Sequence, residues 1–343
     1  MFQFQKIKQI TAIILCITFL CSIPVSAYAS DTKPLSAAEA AEYGKICSAI
    51  DDLAVQLVKT TPQARPGSIG GEWLILGLAR SNEDVSAKYY NQYYAMLKKL
   101  VKQKKGILHQ RKYTEYSRTI LALTAMGKNP AKVNGYNLLT PLGDYKSTVQ
   151  QGVNGAVFAL LALDSGDYPV PKHKTAKIKA TRNLYVNYIL GKELSGGGWA
   201  FNGTTVDVDM TAMVLQALAP YQDNKKVGAA VDRGVQKLSA MQNKQGGFTA
   251  YGITSAESTA QVIVALTALG IDLNDNRFVK NDNSTVDHLL RYYQKGKGFV
   301  HTIGGETNAM TTEQGFYALV AAERFYAGKN SLYDMTAEVQ IKK

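Results

Sequence analysis

Two kinds of hydrophobic pattern alternate along the chain. Runs such as TAMVLQALA (211–219) and TAQVIVALTALG (259–270) are apolar on nearly every position. A helix with no polar face is one buried on all sides. Between these runs lie charged, amphipathic stretches such as 226–243 and 283–294, the pattern of helices with one face in water. Glycine-rich turns ending in an aromatic join the two kinds: GGGW at 196–199, GGF at 246–248 and GKGF at 296–299.

The apolar runs are copies of one unit. Ala122-Leu-Thr-Ala-Met-Gly127 and Ala265-Leu-Thr-Ala-Leu-Gly270 nearly coincide, and the same small-Leu step recurs at Gly77-Leu78, Ala159-Leu160, Ala217-Leu218 and Ala318-Leu319. Six units of about 40–50 residues are the period of helical repeat proteins. An open solenoid leaves both helices of a unit partly exposed, whereas here every inner helix reads as buried. The pattern therefore predicts an all-α, closed (α/α)6 toroid, a double ring of six inner and six outer helices. Inner helices are predicted around 71–80, 115–127, 152–163, 208–219, 257–270 and 310–323. The repeats fill 30–335, and 336–343 form a short tail. The chain after Lys329 is expected to wrap the outside of the ring.

The first residues form no part of that pattern. Lys6 and Lys8 precede an apolar run from Ile10 to Cys21, and Ala27-Tyr28-Ala29 offers small residues where a signal peptidase reads. The run is short of the ~20 apolar residues of a membrane span. We expect a leader over 1–29, cleaved near Ala29, and a secreted or cell-surface protein. Cleavage removes Cys16 and Cys21 and leaves Cys47 without an internal disulfide partner. The formal net charge of +12 suits association with an anionic cell envelope. The lysines at 98–105 and 171–179 lack interleaved aromatics, so nucleic acid is not an expected partner.

Some residues carry a family resemblance. Arg233-Gly234, Leu238, Gln242, Gly246 and Phe248 resemble the repeat of squalene-type terpenoid cyclases, in which a basic-Gly pair leads to Leu, Gln, Gly and an aromatic. Leu290, Gln294, Gly298 and Phe299 give a second copy, and Gly198-Trp199 ends a third. The resemblance implies the α/α toroid shared by those cyclases, protein prenyltransferase β subunits, transcobalamin-type cobalamin binders and complement thioester domains. It covers roughly 35–335.

Each chemistry of that superfamily can be tested against residues. The cyclase acid motif D-x-D-D-T-A is similar to 207–212, D-V-D-M-T-A. The resemblance implies Asp209 as proton donor and Asp207 as its partner, with Met210 replacing the last acid. Helix capping accounts for the same acids. Thr204-x-x-Asp207 and Thr254-x-x-Glu257 have capping-box spacing, and first-turn acids suit the helix dipole. The prenyltransferase zinc needs Asp, Cys and His, but Cys47 is remote and His109, His173, His288 and His301 show no ligand spacing. Ser68 to Trp73 stands where thioester domains carry their cysteine, and has none. Val206 to Leu218 resembles the inner-helix pattern of transcobalamins, whose small β domain would have to come from a separate partner.

The reading that results is a binding module rather than an enzyme. Its mouth, where the inner helices begin, is expected to be rimmed by Trp73, Trp199, Phe201, Phe248, Tyr251 and Phe299, with Asp207, Asp209 and Glu257 as polar contacts. The ligand is a small apolar or corrinoid molecule (cobalamin), or else the partner is a cell-surface protein; no metal or other cofactor is expected. The alternative is an isoprenoid cyclase using Asp209 as acid. For the aromatics a second role is open, each packing its own glycine turn.

Overall fold

A computed structural model describes residues 34–341, so the leader reading over 1–29 lies outside the described residues. Twelve α-helices are present among them. Odd-numbered helices form the outer layer and even-numbered ones the inner layer: α1 (Ala37–Thr60), α2 (Trp73–Arg80), α3 (Ala87–Gln103), α4 (Thr114–Ala125), α5 (Tyr145–Thr148), α6 (Gly152–Asp164), α7 (Arg182–Leu190), α8 (Val208–Leu218), α9 (Lys225–Met241), α10 (Ala256–Ala268), α11 (Thr285–Leu290) and α12 (Ala309–Tyr326). Each inner helix packs on the next, and α12 packs on α2. The chain is therefore an α/α toroid with a closed inner ring. No described helix is long and apolar enough to cross a membrane.

The inner helices are where the all-round apolar runs place them. Almost every residue of α10 and most of those of α12 are buried, and burying a Leu, Ile, Val or Phe side chain contributes about 1.5–3 kcal/mol. Small residues set how closely the ring closes. A Cβ on Gly77 of α2 would stand 2.9 Å from the Phe316 ring of α12, so the last inner helix meets the first over a glycine. Outer helices start on side-chain caps: Ser36 and Glu39 form a reciprocal capping box on α1, and Ser284 and Asp287 do so on α11.

Two details depart from the sequence pattern. The third outer helix is a single turn, α5, flanked by 3₁₀ turns at Thr140–Gly143 and Val149–Gln151. The backbone of Pro171 lies so close that a Cβ on Gly143 would fall 2.2 Å from its carbonyl; the long 165–181 loop packs against this segment, with Tyr145 N–H donating to the Ile178 carbonyl and Ala180 N–H to the Gly143 carbonyl.

The second departure concerns the chain end, which does not wrap the outside. Leu332 and Met335 are 1% exposed, and Met335 N–H donates to the Ser165 carbonyl at the end of α6. Residues 330–338 cross the end of the ring where the inner helices finish. Arg80 and Arg324, in the last turns of α2 and α12, draw them there, donating to the carbonyls of Leu332, Ser331, Asp334 and Asn330 and to the Glu338 carboxylate.

Candidate functional site

The stretch 196–212 shows how one repeat builds the opposite end, the mouth. Gly198 has φ +83° and its missing Cβ would meet Val206 at 2.7 Å, so the turn requires glycine. The Trp199 that follows is fully buried. Its indole N–H donates to the Ile189 carbonyl at 2.8 Å, and its backbone N–H to the Thr211 hydroxyl at 3.0 Å. Gly234 lies flat against it, with room for a Cβ only 3.0 Å from the indole. The Gly-aromatic pattern is thus a device for seating an outer helix on an inner one. Phe299 repeats it against Gly315, where a Cβ would fall 2.6 Å from the ring, and Gln242 serves the same end by donating to the Gly246 and Phe278 carbonyls.

The caps differ from the spacing argument. Asp207 itself is the N-cap of α8, accepting from Met210 N–H at 2.7 Å; Thr204 takes no part. On α10 the cap is Ser255, which accepts from Ser258 N–H at 3.2 Å. Glu257 is thereby free of capping. One of its oxygens accepts from the Thr311 hydroxyl, and the other lies 2.8 Å from His301 Nδ1.

These first turns converge on a cavity of about 440 Å³, within the ~300–1,000 Å³ of small-molecule sites. Asp209, Glu257, Ser258, Tyr251 and His301 supply its polar edge. Its wall is apolar and aromatic. Trp73 packs on Phe158 and Tyr317 with centroids 5.8 and 6.0 Å away, and Met213 and Met310 complete the lining. Gln261 is fixed on this wall, donating to the Tyr317 hydroxyl at 2.6 Å and to Gln314 at 3.1 Å.

Asp209 is the exceptional group. Its Oδ1 is buried and has no hydrogen-bond partner among the described residues. Desolvation raises its pKa from 3.8 to about 6, with the Asp207 and Glu257 carboxylates adding to the rise and the Ser258 hydroxyl opposing it. Tyr251 stands at the tip of a hairpin (Thr249–Ala250 with Ile253–Thr254) in a left-handed conformation, 79% exposed over the cavity.

Of the residues expected at the mouth, the structure brings Trp73, Asp209, Tyr251 and Glu257 onto one cavity. Asp207 stands beside it as a cap. Phe201 is exposed on its turn without lining the cavity. Trp199, Phe248 and Phe299 are corrected: all are fully buried beneath their turns and offer no surface to a ligand. Phe158, Met213, Gln261, Gln314, Tyr317 and Tyr333 were not anticipated. Helical spacing held the signal for several of them, since Met213 follows Asp209 by four, Gln261 follows Glu257 by four, and Gln314 and Tyr317 follow Met310 by four and seven.

Comparison with known proteins agrees with this architecture. Residues 158–269, from α6 to α10 and including Asp209 and Glu257, match the family model of the squalene-hopene cyclase C-terminal domain. No curated protein matches the sequence. Among solved structures, unsaturated glucuronyl hydrolase from Bacillus sp. GL1, described as responsible for the degradation of glycosaminoglycan, superposes with a TM-score of 0.54 at 9% identity over 86% of this chain and 100% of that one. A UGL variant with dGlcA-Glc-Rha-Glc gives 0.55 at 10% identity over the same shares. At such identities the likeness is one of fold alone. The chain is an α/α toroid of the architecture found in cyclases and glycosyl hydrolases, with the squalene-hopene cyclase C-terminal pattern across its central repeats.

Proposed function

We propose that the mouth of the toroid binds a small, largely apolar molecule that presents one hydrogen-bond donor to Asp209. The observation that carries this reading is the unpartnered Asp209 Oδ1 at the edge of an aromatic cavity. A buried acceptor left without a partner costs about 1–3 kcal/mol, which a ligand hydroxyl or amine would recover. Trp73, Phe158, Met213 and Tyr317 would cover its apolar body. A corrinoid is too large for the cavity and could only lie across the rim, completed by a partner. On this reading the chain acts outside the cytoplasmic membrane, after loss of a leader ending near Ala29. Native mass spectrometry of the protein purified from its own host tests the proposal. A retained small molecule is expected in the wild type and should be missing from Met213→Trp, which fills the cavity. Identical spectra from both proteins would sink it.

A second reading is acid catalysis on a carbon–carbon double bond, with Asp209 as donor. It is favoured by the Asp209 pKa of about 6 and by the position of this acid in the matched segment 158–269. The reactive species would be the protonated carboxyl, so turnover of an isoprenoid olefin should fall as pH rises through about 6 and vanish in Asp209→Asn. Turnover that persists in Asp209→Asn would exclude it.

A further inference from the structure

We infer that Tyr333 is the floor of the mouth cavity and sets the length of ligand it can take, an inference that rests on the ligand-pocket reading above. The ring has a second cavity, of about 580 Å³, at the end where the inner helices finish, lined by Leu161, Gln216, Ala217 and Ala268. Tyr333 borders both this cavity and the mouth cavity, and it does so with only 7% of its surface exposed. Alongside it, Gln216 on the far side donates to the Gln261 side chain and carbonyl on the mouth side. A phenol ring and a pair of amides are thus what separates two cavities along one bore.

The ring is held in place from both sides of its backbone. Arg80 donates to the carbonyls of Leu332 and Ser331 at 3.0 Å and of Asp334 at 2.8 Å. Met335 N–H donates to Ser165 at 3.0 Å. Leu332 and Met335 are buried on either side. Four contacts fix the backbone of residues 331–335, and the close burial of the Tyr333 side chain holds the ring at the bore while the segment stays docked. The inner helices supply the walls of the pocket, and the segment after the last repeat supplies its bottom.

A series of primary alcohols from hexanol to hexadecanol tests this, with affinity read by calorimetry and by the fluorescence of Trp73. In the wild type, affinity should rise roughly fourfold per added methylene while the chain still finds apolar wall, then level off where it meets Tyr333. In Tyr333→Ala the levelling should move several carbons longer, with affinity for the shortest alcohols unchanged, and in Tyr333→Phe it should stay where it was. Tyr333→Leu, a milder truncation with an intermediate shift expected, guards against misfolding of the alanine variant. Alcohol binding with the same length limit in all four proteins would overturn this inference and leave the pocket reading standing. Absence of binding in all four would overturn the pocket reading and this inference with it.

Discussion

The two ends of the ring obey the same electrostatic rule and use it differently. Acids stand at the starts of α8 and α10 at the mouth and arginines at the finishes of α2 and α12 at the far end, as the helix dipole favours, although Asp164 and Glu323 stand at helix finishes as well. At the far end the buried arginines are matched, although Glu323 Oε2 there is buried without a partner among the described residues. Arg80 and Arg324, both nearly buried, share Glu338, and Asp164 accepts from Arg182 at 2.7 Å and from the Tyr221 hydroxyl at 2.8 Å. The mouth leaves capacity over. Burial raises the pKa of both Asp164 and Asp209, but only Asp164 has a cation to oppose the rise. One end is built to be closed by the chain itself, whereas the other holds polar groups in reserve.

The largest effect that would break this comparison belongs to the closed end. Arg80→Ala removes donors to three carbonyls and one of the two arginines that pair with Glu338. Taking one member from a buried charge network costs about 3–5 kcal/mol, and urea unfolding should show a loss of that order. Desolvation and the neighbouring Arg324 already hold the Arg80 pKa down to about 10, a measure of how far from water the group lies. A loss under about 1 kcal/mol, the value of an exposed pair, would mean that the segment is only loosely docked.

The open end makes the opposite prediction. The unfolded Asp209 carboxyl ionises near 3.8 and the native one near 6. Between those values the native state binds more protons, so stability attributable to this group falls as pH rises and stays low above about 6. The full difference corresponds to about 3 kcal/mol, reduced by partial solvent access and by the ~0.3–1 kcal/mol that the ionised acid gains at a helix start. Asp209→Asn should therefore stabilise the protein by about 1–2 kcal/mol at about pH 8 and change little below about pH 4. Thermal melts across that range check it; equal effects at both extremes would show that the carboxylate is not desolvated as described.

The closed ring was legible from sequence because burial on all sides leaves an apolar run that needs no periodicity to be recognised. Residues 211–219 and 259–270 needed no partner to be read correctly. The polar half of the site was also legible, since Asp209 and Glu257 sit in first turns and first turns face the mouth. The aromatic half was misread at Trp199, Phe248 and Phe299. A glycine before an aromatic says that the backbone turns sharply, and nothing in it says which way the ring points. Gly234 and Gly315, the surfaces that receive Trp199 and Phe299, lie 35 and 16 residues further on. Tyr333 was beyond reach for a stronger reason: its place depends on Arg80, about 250 residues earlier, and no local pattern encodes that docking. The single-turn α5 likewise depends on the 165–181 loop packing over it.

The smallest effect separates the two acids of the mouth. Asp207 and Asp209 are two residues apart and equally acidic in sequence, but Asp207 is spent on Met210 N–H as the cap of α8. Asp207→Ala should cost about 1 kcal/mol, the usual value of a lost N-cap, and Asp207→Asn almost nothing, since asparagine caps as well. Asp207 does not itself line the cavity and reaches it only through the exposed Tyr251, so affinity for the alcohol series should stay within twofold of wild type. Asp209→Asn should weaken binding of the same alcohols, because asparagine replaces a charged acceptor by a weaker neutral one. The acid-catalysis reading divides the labour otherwise: there Asp207 supports the donor, and its replacement should lower turnover along with that of Asp209. Unfolding curves, alcohol titrations and turnover of an isoprenoid olefin by the Asp207→Ala, Asp207→Asn and Asp209→Asn variants settle which division holds. Equal loss of binding in Asp207→Asn and Asp209→Asn would mean that the pair acts as one unit.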